Sequence, residues 1–175
     1  SWKGSRDGPI RDNDIYGGEV YDARMEMDGW STASFDDSSW KAVQKNDEFQ
    51  GRYKLSWQPM APIRALELMR PLSITPILLA DQNATVYVAK FPQNAAGWSR
   101  LTVKDCPAGT NISMFFSEVL CGPQDVCSGP LPGEGLPGTV DQRGLSPHQP
   151  LDPPSKRNQY VCKGGGTEVY EPRFT

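Results

Sequence analysis

The run Asp12-Asn13-Asp14 is the most chemically loaded short stretch of the chain. Three oxygen-bearing side chains stand next to Gly17-Gly18-Glu19. Together they can offer several hard ligands to Ca²⁺, which takes about six to eight oxygens. Neighbouring residues of an irregular loop can turn towards one ion, so the run is expected to lie in a loop. A solvated turn rich in Asx residues is the competing account, and the spacing is not that of an EF-hand. Further along, Trp57-Gln58-Pro59-Met60-Ala61-Pro62-Ile63-Arg64 is stiffened by proline. Pro59 and Pro62 keep its carbonyls out of a continuous ladder, and spare carbonyls are calcium ligands. Arg64 can donate to sugar hydroxyls or pair with a carboxylate. Gly29-Trp30 and Phe35-Asp36-Asp37-Ser38-Ser39-Trp40 place two indoles around an acidic turn. Sugar faces stack on indoles. The structural account is preferred: Phe35 and Trp40 anchor the loop while Asp36 and Asp37 cap a short helical turn.

Catalytic constellations find little support. His148 is the single histidine and sits in a proline-rich stretch, which leaves no Ser-His-Asp or Cys-His arrangement. No spacing singles out a carboxylate pair for glycoside hydrolysis among the 21 acidic residues. Gly164-Gly165-Gly166 lies between strand-like runs and does not open a helix, so it is no phosphate loop.

Four cysteines form an even set without the paired spacing of a zinc ribbon. Two disulfides are expected. Cys121 and Cys127 would close a short loop, and Cys106 and Cys162 would tie a turn to a late strand. Two glycosylation sequons, at Asn83 and Asn111, agree with an oxidising, extracellular setting for a secreted protein. Ser1-Trp2-Lys3-Gly4 is not a signal peptide, so a leader is expected to be removed or to lie outside this sequence.

The elements that must position these residues read as β. The 175 residues fit one domain, 1–175, and a net charge of −3 gives no electrostatic case for nucleic acid or an anionic membrane. No apolar run approaches bilayer length. Residues 122–155 hold 14 glycines and prolines, which forbids helix or central strand and reads as a long surface insert. Residues 85–91 are rich in β-branched and aromatic types. Residues 98–104 alternate, and 111–120 make a further strand across the turn 107–110, so the two are expected to form an antiparallel hairpin. Residues 159–162 and 167–170 are expected to form a second hairpin over the glycine tip. Residues 69–80 read as a buried strand region broken by Pro71 and Pro76. Many short strands with Gly- and Pro-rich turns predict an all-β, antiparallel, jelly-roll-like β-sandwich.

Several blocks taken in order resemble one family. They are Asp14-Ile15-Tyr16-Gly17-Gly18-Glu19-Val20-Tyr21-Asp22-Ala23-Arg24, Gly29-Trp30, Phe35 to Trp40, Gln58-Pro59-Met60-Ala61-Pro62-Ile63-Arg64 and Phe91-Pro92-Gln93-Asn94-Ala95-Ala96-Gly97-Trp98. Ala108-Gly109-Thr110, Ser117-Glu118-Val119-Leu120 and Lys163 to Thr175 complete the set. Their order resembles the accessory β-sandwich region of α-L-rhamnosidases, from about residue 10 to the end, apart from the insert. The family block usually has glycine where Pro92 stands, so the local turn must differ. The family also continues beyond Phe174-Thr175 with a further strand, which lies outside this sequence or comes from a neighbouring chain.

The resemblance implies a non-catalytic module, because the family's catalytic barrel is separate and none of it is here. One relative of this sandwich holds L-rhamnose through a calcium ion. By position, Asp12 and Asn13 match its side-chain ligands, and backbone carbonyls from Gln58 to Pro62 would complete the protein shell. Tyr16, Trp57 and Arg64 are the accompanying candidate sugar contacts. The implied partners are L-rhamnose or a rhamnose-bearing polysaccharide, and a catalytic domain or a strand-donating neighbour. A purely structural sandwich and an assembly subunit completed by strand donation are the rival expectations.

Overall fold

A computed structural model describes residues 2–14, 17–46, 51, 53–79, 84–116 and 158–173. The described residues form ten strands and one short 3-10 turn. They are β1 (Lys3–Gly4), β2 (Ile10–Asp14), β3 (Gly18–Asp22), the turn Ala23–Met25, β4 (Lys41–Ala42) and β5 (Ser73–Leu79). Then follow β6 (Ala84–Lys90), β7 (Leu101–Lys104), β8 (Asn111–Met114), β9 (Asn158–Val161) and β10 (Thr167–Tyr170). The all-β expectation holds. The insert 122–155, with Cys121 and Cys127, lies outside the described residues, as do Tyr16 and Asn83.

The largest sheet runs in the order β2-β3-β9-β8, and β7 pairs with β10 in another. Alternation aims Leu101 and Val103 of β7, Ile112 and Met114 of β8, and Tyr160 and Tyr170 of β9 and β10 into one cluster with Cys106, Cys162 and Ala23. The two sheets therefore share a core, as a sandwich requires. One pairing departs from the antiparallel expectation: β3 and β9 run parallel.

Both expected hairpins are corrected. β7 pairs with β10 and β8 with β9, so each consecutive pair of strands is split between the sheets. The physical reason lies in the two connections, which run side by side and hold each other. Asp105 N–H donates to the Gly166 carbonyl at 2.7 Å, Gly109 N–H to that of Cys162 at 2.8 Å, and Cys162 N–H to that of Thr110 at 2.9 Å. The Cys106–Cys162 disulfide clamps the same crossing, with Cα atoms 6.2 Å apart and a sequence separation of 56. In the chain-entropy model a loop of that length contributes about 4 kcal/mol. Chain reversal within Gly164-Gly165-Gly166 uses positive φ at all three residues.

Two further expectations change. Residues 73–79 form a strand, but Ile74 and Leu78 are exposed, because among the described residues β5 has only β6 beside it. Pro76 is accommodated there opposite Tyr87, on a strand with one open edge. Residues 35–40 form turns and no helix; the Asp36 carboxylate accepts Ser38 N–H at 3.0 Å, and the Phe35 and Trp40 rings pack with centroids 5.4 Å apart.

Gly164 has no room for a side chain. A Cβ there would lie 2.9 Å from the Ala108 Cβ and 3.1 Å from its backbone nitrogen, at a φ of +97°. Gly164→Ala is expected to lower stability by about 1–3 kcal/mol, and Gly165→Ala, which meets nothing within 4 Å, by less. Urea unfolding of both variants checks the order.

Candidate functional site

Asp12 and Asn13 are not in a loop. They belong to β2 and pair with Val20 and Glu19 of β3, just past a register irregularity between Ile10 and Asp12. Strand pairing wins because β3 is itself fixed on its other side by β9. Successive strand residues face opposite ways; accordingly Asp12 is exposed and Asn13 half-buried. An Asp12 carboxylate oxygen accepts Asn13 N–H at 2.9 Å. Asp14, next in line, accepts Gly17 N–H at 2.7 Å and closes the turn into β3.

Asn13 has a distinctive position. Its Nδ2 donates to Glu19 Oε2 at 2.8 Å. A carboxylate only accepts, so this bond fixes which end of the amide is nitrogen. The other end, Oδ1, is buried and lacks a hydrogen-bond partner among the described residues. Buried acceptors of this kind are uncommon and call for a donor, a water or a cation.

Behind Asn13 lies a polar core that sequence reasoning missed. The Glu19 side chain has no exposure. Tyr170 O–H donates to its Oε1 at 3.0 Å, and Arg173 Nη1 donates to both oxygens at 2.9 and 3.0 Å. Its backbone N–H donates to Asn158 Oδ1 at 2.9 Å. The Arg173 guanidinium also lies 5.3 Å from the Tyr21 ring centroid. Tyr21, Tyr160 and Tyr170 pack together with centroids 4.9 to 6.0 Å apart. Glu168, almost fully buried, accepts Tyr160 O–H at 2.7 Å and the N–H groups of Lys163 and Gly164 at 2.8 and 3.2 Å. Burial pushes its carboxyl up, but these hydrogen bonds together prevail and hold it below the usual range. The available signal was Glu168 and Tyr170 two residues apart on one strand, and so on one face.

The remaining candidates stay apart. Trp57, Gln58, Pro62 and Arg64 are all exposed. Gln58 Nε2 donates to the nearby Met60 carbonyl at 3.3 Å. Among the described residues no hydrogen bond or ion pair joins these four to Asp12 or Asn13, and no group of three His, Cys, Asp or Glu side chains could hold a metal. In donor chemistry an amide oxygen and a carboxylate suit a hard cation, but on β2 the Asp12 and Asn13 side chains face opposite ways, so one ion reaches both only if the strand end rearranges. Asn111 is exposed at the start of β8, with Ile112 turned towards the core. No helix among the described residues is long and apolar enough to cross a membrane.

Fold and site together define a β-sandwich module with an oxygen-donor pair at the end of one strand. Residues 1–67 match the α-L-rhamnosidase N-terminal domain and residues 80–175 the bacterial α-L-rhamnosidase concanavalin-like domain. The chain belongs to the bacterial α-L-rhamnosidase family. An α-L-rhamnosidase of Formosa agariphila is 32% identical over 177 residues, covering 100% of this chain and 16% of the relative. One from Streptomyces avermitilis is 32% identical over 168 residues, 96% of this chain and 14% of the relative. One from Alteromonas sp. is 32% identical over 122 residues, 69% of this chain and 12% of the relative. The chain thus spans a small fraction of the curated relatives it matches. No solved structure matches. Strands β2 and β3 come from the first matched segment and β8 and β9 from the second, yet all four share one sheet.

The tyrosine cluster sets an alkaline limit. Burial, then the hydrogen bond to Glu26 and its charge, push the Tyr21 phenol up to about 12, with Arg173 opposing. Burial also pushes Tyr160 and Tyr170 up. Phenols raised in the folded state stabilise it fully below their ordinary value near 10. That contribution is lost as pH rises through the folded values. The melting temperature is expected to fall from about pH 10 upward, together with the late appearance of tyrosinate absorbance. Free ionisation of all the tyrosines near pH 10 with no change in melting would refute it.

Proposed function

We propose that this chain is a non-catalytic carbohydrate-binding part of an α-L-rhamnosidase, and that it recognises L-rhamnose or a rhamnose-bearing polysaccharide through Ca²⁺. The observation that carries this reading is the buried Asn13 Oδ1, which has no hydrogen-bond partner among the described residues. Asp12 and Asn13 would hold the ion. Carbonyls of the 58–62 segment are the further protein ligands, which requires that exposed segment to approach β2. The bound ion supplies a positive centre for sugar hydroxyls. Glu19 keeps the Asn13 amide from flipping, so its oxygen stays available.

The disulfide and the exposed Asn111 sequon support a secreted, extracellular and glycosylated protein. A second reading is a structural sandwich packed on a catalytic domain. It draws on the segment 53–72, where Leu55, Ile63 and Leu66 are 94–96% exposed.

Calorimetry with L-rhamnose is expected to show binding with calcium and none with chelator. Asp12→Ala should weaken that binding at least about tenfold, or ~1.4 kcal/mol, with melting little changed, and Asn13→Ala should weaken it as much while also lowering the melting temperature, because it removes a donor from the buried Glu19. Undiminished affinity in both variants would sink the calcium reading. The pure chain is also expected to release no rhamnose from an aryl rhamnoside above the buffer rate, since no side chains here form a credible acid and base pair.

A further inference from the structure

Trp98 sits three residues before β7, and Glu171 directly follows β10. The two strands pair with Leu101 opposite Tyr170, which sets Arg100 beside Glu171. Leu101 and Tyr170 face the core, and Ser99 is half-buried, its Oγ 3.5 Å from Met114 Sδ. Trp98, Arg100 and Glu171 consequently share the outer side. Trp98 Nε1 donates to Glu171 Oε2 at 3.2 Å, and Arg100 Nε donates to Glu171 Oε1. Trp98 remains 41% exposed. The Arg100 and Glu171 side chains are 53% and 34% exposed.

Such an arrangement is a weak staple, because a solvent-exposed ion pair contributes only about 0–1 kcal/mol. Its chemistry suits a sugar better. An indole held in one orientation offers an apolar surface to C–H groups. The adjacent carboxylate accepts from hydroxyls, and the guanidinium donates to them. Arg100 first, and then the Trp98 N–H, hold the Glu171 carboxyl below the usual range, so the acceptor stays ionised at neutral pH. Holding these groups in place beforehand lowers the entropy lost on binding.

We propose that Trp98, Arg100 and Glu171 form a calcium-independent stacking subsite for a 6-deoxyhexose unit, separate from Asp12 and Asn13. The sugar's methyl and C–H groups pack on the indole, and two hydroxyls engage Glu171 and Arg100. Only the class of sugar rests on the rhamnoside reading above; the site itself uses different residues and no metal. With one contact on β2 and another at the β7–β10 end, a polysaccharide would meet the module at two points.

The test is a titration of the full chain with methyl α-L-rhamnoside in excess chelator, followed by the indole N–H signals of the five tryptophans. The Trp98 signal is identified by its loss in Trp98→Phe, or by through-bond assignment of the wild type where that variant does not fold. The expected result is a saturable shift of that signal at millimolar sugar. Arg100→Ala should weaken it at least about threefold, and Asn13→Ala should leave it unchanged. Three results would overturn the proposal: a Trp98 signal that does not move, one that moves only when calcium is restored, or one that moves equally in Arg100→Ala. Because chelator silences the Asp12–Asn13 site, its failure and this one are read separately.

Discussion

A carboxylate with no solvent exposure has to be supplied with donors, and meeting that demand at Glu19 organises the rest of the molecule. An ionised group buried without partners costs several kcal/mol, a large part of the roughly 5–15 kcal/mol that holds a domain folded. Glu19 draws on Asn13 from the neighbouring strand, on Tyr170 and on Arg173. The last two are 151 and 154 residues away in sequence. The Arg173 side chain is 47% exposed, so water weakens its Coulomb attraction. The hydrogen bonds therefore carry more of the compensation than the ion pair does. Once Tyr170 is drawn inward to Glu19, strand alternation also turns Glu168 inward, and a second buried carboxylate needs donors. Tyr160 and the backbone at Lys163 and Gly164 supply them. The direction taken by the chain at Gly164 follows from that requirement as much as from glycine's freedom.

The same demand joins the two segments that match separate family domains. Glu19 and Asn13 belong to the first, Asn158, Tyr170 and Arg173 to the second. Their strands meet in the parallel β3–β9 pair, whose ladder is fixed near Glu19 by the Asn158 side chain. The core around Tyr21, Tyr160 and Tyr170 is thus built from both, and Glu19 of the first segment takes donors from the second.

Much of the architecture was legible in the sequence because it depends on local signals. Alternation marked β7, β-branched residues marked β6, and the even cysteine count pointed to disulfides, of which the structure contains the Cys106–Cys162 bridge. Strand pairing was not legible. A short turn between two strands suggests a hairpin, but β7–β8 and β9–β10 each cross between sheets, because their connections bond to one another instead of closing on themselves. Which side chains of β10 face inward was not legible for a related reason. In Thr167-Glu168-Val169-Tyr170 the apolar Val169 is 57% exposed while Glu168 is buried. Only distant tyrosines and backbone N–H groups make that inversion stable, and no local pattern reveals them. The chemical character of Asp12 and Asn13 was readable; their placement on a paired strand depended on β3 and β9.

The candidate binding atom is a by-product of this buried chemistry. Glu19 accepts from the Asn13 nitrogen, and a carboxylate cannot do otherwise, so the amide oxygen must point away from it. That oxygen is left buried and unpaired. An amide free to rotate would spend part of its time with nitrogen outward, presenting a donor where a cation needs an acceptor. Fixing the amide costs nothing when ligand arrives, because the order has been imposed by folding. The acids that stabilise the interior thereby also decide which atom of Asn13 is left unpaired among the described residues. A change at Tyr170 or Arg173, far along the chain from Asn13, acts on that atom through Glu19 without touching any ligand.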